Sequence, residues 1–122
     1  VNGLVGSEMC IRDSNKTIGV VRNPYERVVN LYMESLDYIG LDNWIAKYPP
    51  EKQVVLYKNC DHLVRFEAWE DELKFAKLHP KDTSILKDEE IVPMWNRWYT
   101  MKTKTLVYSI YREDILTYGY SF

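Results

Sequence analysis

The stretch KTIGVVRNPYERVVNLY, residues 16–32, predicts a strand that leads directly into a helix. Its β-branched run, which ends at Val21, is typical of an interior strand. Asn23 is a favourable N-cap residue and Pro24 suits the first helical position, so we expect the helix to begin there. Arg22 lies between the two elements. A cation at a strand end, next to the free N–H groups of a helix start, favours binding of an anion and above all phosphate.

The remaining pattern alternates strands and helices, which predicts an α/β fold. The predicted elements are a strand at 17–21, a helix at 24–38 that Gly40 closes, a short helix at 41–48, a strand at 62–66, a helix at 69–78, a polar loop at 81–90 and a helix at 101–117 that Thr100 caps. Residues 51–59 fit either a helix or a strand, because their apolar spacing does not decide between the two periods.

Composition limits the functions that this chain can have. Its 122 residues suit one domain, and a net charge of −2 gives no general attraction to nucleic acid or to an acidic membrane. No apolar run approaches the length of a membrane span. The two cysteines, Cys10 and Cys60, argue against a disulfide framework and against a zinc site. We therefore expect neither a metal cofactor nor a nucleic-acid partner.

Three separated motifs resemble those of sulfotransferases that use 3′-phosphoadenosine 5′-phosphosulfate (PAPS), in particular the carbohydrate sulfotransferases. Arg-Asn-Pro-Tyr-Glu-Arg at 22–27 resembles the 3′-phosphate-binding motif of that family. Arg-Phe-Glu at 65–67 resembles the end of a later strand, and residues 108–122 resemble the closing helix with its Asp-Ile-x-x-Tyr-Gly-Tyr pattern. The motifs occur in the order of the family and together cover residues 16–122.

The resemblance implies which residues bind the cofactor. In the family, the first Arg of the motif and a Ser eight positions later hold the 3′-phosphate. Arg22 matches that Arg, whereas Asn30 stands at the Ser position, where its amide can still donate a hydrogen bond. Phe66 stands where the family often places an aromatic ring against adenine. Arg22, Asn30 and Phe66 are therefore the expected PAPS-binding residues.

Each of these residues also has an ordinary structural interpretation. An arginine at a strand end commonly pairs with a nearby carboxylate, although we favour phosphate binding for Arg22. Asn30 fits a phosphate contact or a solvated helix face equally well, and Phe66 fits either adenine stacking or core packing. The aromatic run at 94–99 could line a sugar site, but packing is the preferred interpretation.

The resemblance implies a parallel sheet flanked by helices, related in architecture to P-loop kinases. In the family, a phosphosulfate loop with a catalytic Lys precedes the arginine motif. Gly3 and Gly6 are not followed by the Lys-Ser/Thr of a phosphate loop. We therefore expect an inactive C-terminal part of the domain that lacks the phosphosulfate-loop strand, and we name no catalytic residue.

Residues 1–14, VNGLVGSEMCIRDS, match nothing in the family and have no clear periodicity. The string GSEMCIRDS resembles the primer-derived ends of environmental (metagenomic) sequence reads. We therefore expect residues 1–14 to be a non-native or disordered leader and residues 15–122 to form the partial sulfotransferase domain.

The implied function is transfer of a sulfuryl group from PAPS to a hydroxyl acceptor, expected to be a carbohydrate, by in-line displacement without a metal. Two alternatives stay open: another nucleotide-dependent phosphoryl transferase of related fold, and a non-catalytic glycan- or protein-binding module on the same fold. A bacterial or viral origin would place the protein in the cytoplasm. A eukaryotic origin would place it at the Golgi membrane, with any membrane anchor in missing N-terminal sequence.

Overall fold

The computed structural model describes residues 9–122 as a mixed α/β chain that divides into two compact units. Within the described residues, unit 1 comprises 9–22 and 56–90, and unit 2 comprises 23–55 and 91–122. In chain order the described elements are β1 (Met9–Asp13), β2 (Lys16–Val21), α1 (Pro24–Ser35), α2 (Leu41–Lys47), α3 (Gln53–Leu56), β3 (His62–Arg65), α4 (Trp69–Phe75), α5 (Ser84–Asp88) and α6 (Met101–Tyr118), with 3₁₀ turns at Phe66–Ala68 and Trp95–Trp98. None of these described helices is long and apolar enough to cross a membrane.

A three-stranded sheet in the order β1-β2-β3 forms the centre of unit 1. β2 pairs in parallel with β3 and antiparallel with β1, so the sheet is mixed. The strands predicted at 17–21 and 62–66 are confirmed. β2 is buried because it is central, and its inward residues join the apolar core of the unit, which consists of Ile11, Ile18, Val20, Val64, Phe66, Leu73, Leu78 and Leu86.

β1 is an element that the sequence does not predict. We expected a leader without order over residues 1–14, and the structure differs from residue 9 onward. β1 pairs with β2 along its whole length, and Ile11 places its side chain in the core of unit 1. Ladder hydrogen bonds and one buried side chain order a segment whose own sequence has no period. Residues 1–8 lie outside the described residues, and the non-native origin of the leader stays a prediction.

Two helices of unit 1 also differ from the prediction. α4 ends at Phe75 instead of residue 78, because the chain turns at Lys77 with a φ of 58° while Leu78 still reaches the core. The stretch at 81–90, predicted as a polar loop, contains the short helix α5. Leu86 is its single apolar anchor to the core, at 1% exposure.

Unit 2 is a cluster of helices in which α1, α2 and α6 share one apolar core. α1 begins as predicted, since the Asn23 Oδ1 accepts a hydrogen bond from the N–H of Tyr25 at 3.0 Å. α6 also begins as predicted, with the Thr100 Oγ1 accepting from the N–H of Thr103 at 3.2 Å. Gly119 closes α6 in the left-handed conformation, at a φ of 71°.

The end of α1 differs from the prediction that Gly40 closes it. The helix stops at Ser35, and Leu36 takes the left-handed conformation with a φ of 59°. The Ser35 hydroxyl donates to the carbonyl of Tyr32 and accepts from the N–H of Asp37, and such local bonds compete with helix continuation. Gly40, at a φ of 97°, instead forms the N-cap of α2.

The undecided stretch at 51–59 contains the four-residue helix α3. Its N–H groups at Gln53 and Val54 donate to the two carboxylate oxygens of Asp114 at 2.8 and 2.9 Å. Asp114 belongs to α6 and is fully buried. The helical state of α3 therefore depends on a contact with a residue 60 positions later in the chain.

Candidate anion and nucleotide site of unit 1

The candidate site lies where the two parallel strands of unit 1 end. Val21 of β2 and Arg65 of β3 form the last register pair. Arg22 and Phe66 each follow this pair by one residue, so both emerge from the carboxyl ends of neighbouring parallel strands. In open α/β sheets, ligands bind outside the carboxyl ends of the strands.

Arg22 and Phe66 are in direct contact at this edge of the sheet. The Arg22 guanidinium carbon lies 4.4 Å from the centroid of the Phe66 ring, within the range of a cation–π contact. Both side chains are buried, with 0% and 6% exposure. Phe66 is also part of the core of unit 1, so it packs in the core and supports the arginine at the same time. The structure thus brings together two of the three residues that the resemblance singled out.

The Arg22 guanidinium is also paired with an acidic segment. Its Nη1 donates to the Glu89 Oε1 at 3.2 Å, and its Nη2 donates to the backbone carbonyl of Glu90 at 3.1 Å. Glu89 directly follows α5 and has 22% side-chain exposure. This is the carboxylate pairing that the structural interpretation of Arg22 predicts. The two terminal nitrogens thus each hold one oxygen of the same segment.

No local sequence signal marks Glu89 as a partner of Arg22. The two residues are 67 positions apart, and Glu89 belongs to the run Asp88-Glu89-Glu90, which has the composition of a solvated loop. α5 places this run beside the end of β2 within unit 1. A contact of this kind is decided by the packing of Leu86, which is a property of the tertiary structure.

Asn30, the third predicted residue, lies on α1 and therefore in unit 2. Its side chain is half-buried, and its Oδ1 accepts no hydrogen bond from any described residue. The start of α1 also belongs to unit 2. The parts that Asn30 and this helix start take in phosphate binding stay predictions from the sequence motif.

A cavity of about 330 Å³ opens next to Phe66 in unit 1. Ligand cavities in proteins begin at about this size. Two aromatic side chains line the cavity, together with three carboxylates and one lysine: Phe66, Trp69, Glu67, Glu70, Asp71 and Lys74, besides Ala68. The three carboxylates repel a phosphate, so the cavity itself does not suit one.

Two further observations concern the metal-ligating side chains and the thiols of the described residues. Within residues 9–122, no group of three or more His, Cys, Asp or Glu side chains could hold a metal ion. Cys10 and Cys60 approach each other in unit 1, with 3.7 Å between their sulfur atoms. Burial and the hydrogen bond with Cys10 raise the pKa of the Cys60 thiol to about 11, so this thiol is a poor nucleophile at neutral pH.

Comparison of the chain with protein-family models, with curated proteins and with solved structures found no match. The relation to sulfotransferases therefore rests on the sequence motifs and belongs to the proposal below.

Proposed function

We propose that this chain contains the nucleotide-binding part of a PAPS-dependent sulfotransferase. Arg22 binds the 3′-phosphate of the cofactor and Phe66 flanks its adenine. The observation that carries this proposal is the pairing of Arg22 with Phe66 at the carboxyl ends of two parallel strands. As part of the proposal, β2 and β3 belong to the parallel sheet of a P-loop-type fold.

The surroundings of Arg22 suit a bound phosphate. The guanidinium presents parallel N–H donors, which match two oxygens of a phosphate in a bidentate arrangement. The Phe66 ring restricts the fork on one side, so less side-chain entropy is lost when an anion binds. Burial of the arginine strengthens its electrostatic interactions, because the local dielectric constant is lower than in water.

The cavity beside Phe66 supports the proposed orientation of the nucleotide. Phe66 and Trp69 are its two aromatic lining residues, and its carboxylates disfavour a second phosphate at that position. The 3′-phosphate therefore faces Arg22 while the base lies towards Phe66 and Trp69. Asn30 is the proposed second contact of the phosphate, on the basis of its place in the sequence motif.

The proposed reaction is transfer of a sulfuryl group to a hydroxyl, with carbohydrate as the proposed acceptor. A bond forms between the acceptor oxygen and sulfur, the bond between sulfur and the 5′-phosphate oxygen breaks, and the hydroxyl proton passes to a base. 3′-Phosphoadenosine 5′-phosphate leaves. In this reaction Arg22 and Phe66 bind and orient the nucleotide, and we assign no catalytic residue or metal.

The test is calorimetric titration of the full chain with 3′-phosphoadenosine 5′-phosphate. A hydrogen bond to a charged group contributes about 1.5–3 kcal/mol, so Arg22→Ala should weaken binding about 10- to 150-fold. Arg65→Ala is the matched control. Arg65 is the register partner of Val21, the residue just before Arg22. Its side chain is half exposed and pairs with Glu72 at 4.0 Å. This control should change the affinity less than about twofold, as is usual for exposed ion pairs.

Adenosine 5′-phosphate, which lacks the 3′-phosphate, serves as the ligand control. It should bind more weakly than 3′-phosphoadenosine 5′-phosphate and be indifferent to Arg22→Ala. The proposed role of Arg22 is refuted if a folded Arg22→Ala variant binds the 3′-phosphate compound like the parent. It is also refuted if the variant loses both ligands equally, since the contact would then not be with the 3′-phosphate.

One observation favours the alternative of a non-catalytic glycan- or protein-binding module. Arg22 is already paired with Glu89, as expected of a structural arginine in a site that has lost its nucleotide. Under this alternative, neither the parent nor any Arg22 variant binds 3′-phosphoadenosine 5′-phosphate, and the same titration decides between the two functions.

A further inference from the structure

The two terminal nitrogens of Arg22 both contact one short segment of unit 1. Nη1 donates to the side chain of Glu89 and Nη2 donates to the backbone carbonyl of Glu90. The segment thus offers a carboxylate oxygen and a carbonyl oxygen to the arginine fork. A phosphate would offer two oxygens to the same donors.

We propose that Glu89 is an anion mimic that closes the phosphate site until the nucleotide displaces it. This inference rests on the proposed function, because it concerns regulation of the same site. A carboxylate oxygen and a phosphate oxygen cannot occupy the same donor at one time. Nucleotide binding therefore requires that the Glu89–Glu90 segment leave Arg22, and the affinity depends on how firmly the segment is held.

Apart from its contacts with Arg22, the segment has one buried apolar anchor among the described residues. α5 has only five residues, too few for a helix that is stable by itself. Leu86 is the one buried side chain of this described helix, and its other four residues are exposed. Elements with few buried apolar contacts open at low free energy. Glu89 is also partly exposed, so its carboxylate regains water readily when it leaves.

The competition sets a limit on the apparent affinity for the nucleotide. The apparent dissociation constant equals the intrinsic constant divided by the fraction of molecules whose site is open. If the site is open in about one molecule in ten, removal of the competing charge tightens binding by up to about tenfold. We expect a gain of about three- to tenfold for Glu89→Gln, because the neutral amide still occupies part of the space but pairs weakly with the guanidinium.

The experiment is calorimetric titration of full-length Glu89→Gln with 3′-phosphoadenosine 5′-phosphate. Glu90→Gln is the matched control, since Glu90 contacts Arg22 through its backbone carbonyl and its side chain is exposed. The control should bind like the parent. In a chain that also carries Arg22→Ala, Glu89→Gln should have no effect, because the competed donor is gone.

A second measurement does not depend on a substitution. In the parent chain, saturating 3′-phosphoadenosine 5′-phosphate should speed amide hydrogen exchange at residues 84–90, because the displaced segment loses its contact with Arg22. Most bound ligands slow exchange around their site, so an increase there supports displacement. Unchanged or slower exchange at residues 84–90 overturns the inference.

The titration separates failure of this inference from failure of the proposed function. If Glu89→Gln weakens binding, or leaves it unchanged while Arg22→Ala still weakens it, Glu89 does not compete with the phosphate. The nucleotide function then survives without the anion mimic. If no variant binds the nucleotide in a manner that depends on Arg22, the proposed function is wrong and the anion mimic is overturned with it.

Discussion

Replacement of Asp114 by alanine should destabilise this protein more than the loss of any exposed charge. Asp114 is fully buried on α6, and its two carboxylate oxygens accept from the backbone N–H groups of Gln53 and Val54 at 2.8 and 2.9 Å. Alanine removes both acceptor oxygens, so the two N–H groups at the start of α3 lose their hydrogen-bond partner. Water cannot replace a buried acceptor without rearrangement of the core around it.

The expected magnitude follows from the two hydrogen bonds. Each bond to a charged acceptor contributes about 1.5–3 kcal/mol, so the loss amounts to about 3–6 kcal/mol. Domains of this kind have a free energy of unfolding of about 5–15 kcal/mol, so the loss is a large part of the total. With a urea dependence of about 2 kcal/mol per molar, the midpoint should fall by about 1.5–3 M.

The assay is urea unfolding followed by far-UV circular dichroism, with Glu113→Ala as the matched control. Glu113 precedes Asp114 on the same helix, but it is exposed and makes only a surface ion pair with Lys52 at 3.8 Å. Such a pair contributes at most about 1 kcal/mol. The reasoning is refuted if Asp114→Ala costs less than about 1 kcal/mol, or if Glu113→Ala costs as much as Asp114→Ala.

Three further predictions follow, one on the backbone and two on the thiols. Leu36→Gly should raise the free energy of unfolding by about 1 kcal/mol, because Leu36 is 76% exposed and adopts a left-handed conformation that glycine takes without strain. Leu36→Ala keeps the Cβ atom and should show no such gain in the same urea titration. Diamide should oxidise Cys10 and Cys60 to an intramolecular disulfide with loss of two thiol hydrogens, since their sulfur atoms are 3.7 Å apart. Intact mass spectra that show only free thiols would contradict the pairing of β1 with β2, which places Cys10 there. The rate of Cys60 alkylation by iodoacetamide should keep rising up to about pH 11, because burial raises the pKa of this thiol to about 11 and only the thiolate reacts. A rate that levels off near pH 9 would contradict the raised pKa.

Elements whose signals are local could be predicted from the sequence. β2 has a β-branched run, α1 has the Asn23-Pro24 start, and α6 has Thr100 at its start and Gly119 at its end. In each case a side chain satisfies a backbone group within three residues, or a steric preference acts on the residue itself. Such effects need no distant partner, so they are visible in the sequence.

Elements that depend on distant partners could not be predicted in the same way. α3 needs the Asp114 carboxylate, and α5 needs a place for Leu86 in the core. β1 is different, because its partner β2 follows it after two residues, and it was missed because its own residues have no strand period. The end of α1 is a related case. Gly40 has the sequence signature of a helix C-terminus, but α1 ends earlier, where Leu36 takes the left-handed conformation, and Gly40 is the N-cap of α2.

The candidate site divides along the same line. The sequence by itself determined that a cation, Arg22, follows a buried strand, and it supplied the motifs from which Arg22, Asn30 and Phe66 are proposed to bind a nucleotide. Only the tertiary structure decided that Phe66 lies against Arg22 and that Glu89 holds the arginine fork. The physical reason is the separation along the chain between the residues that interact. Capping and strand propensity act between neighbours in the chain, whereas the parallel register of β2 with β3 joins residues more than forty positions apart. Leu86 likewise joins a core that includes Ile11, far earlier in the chain.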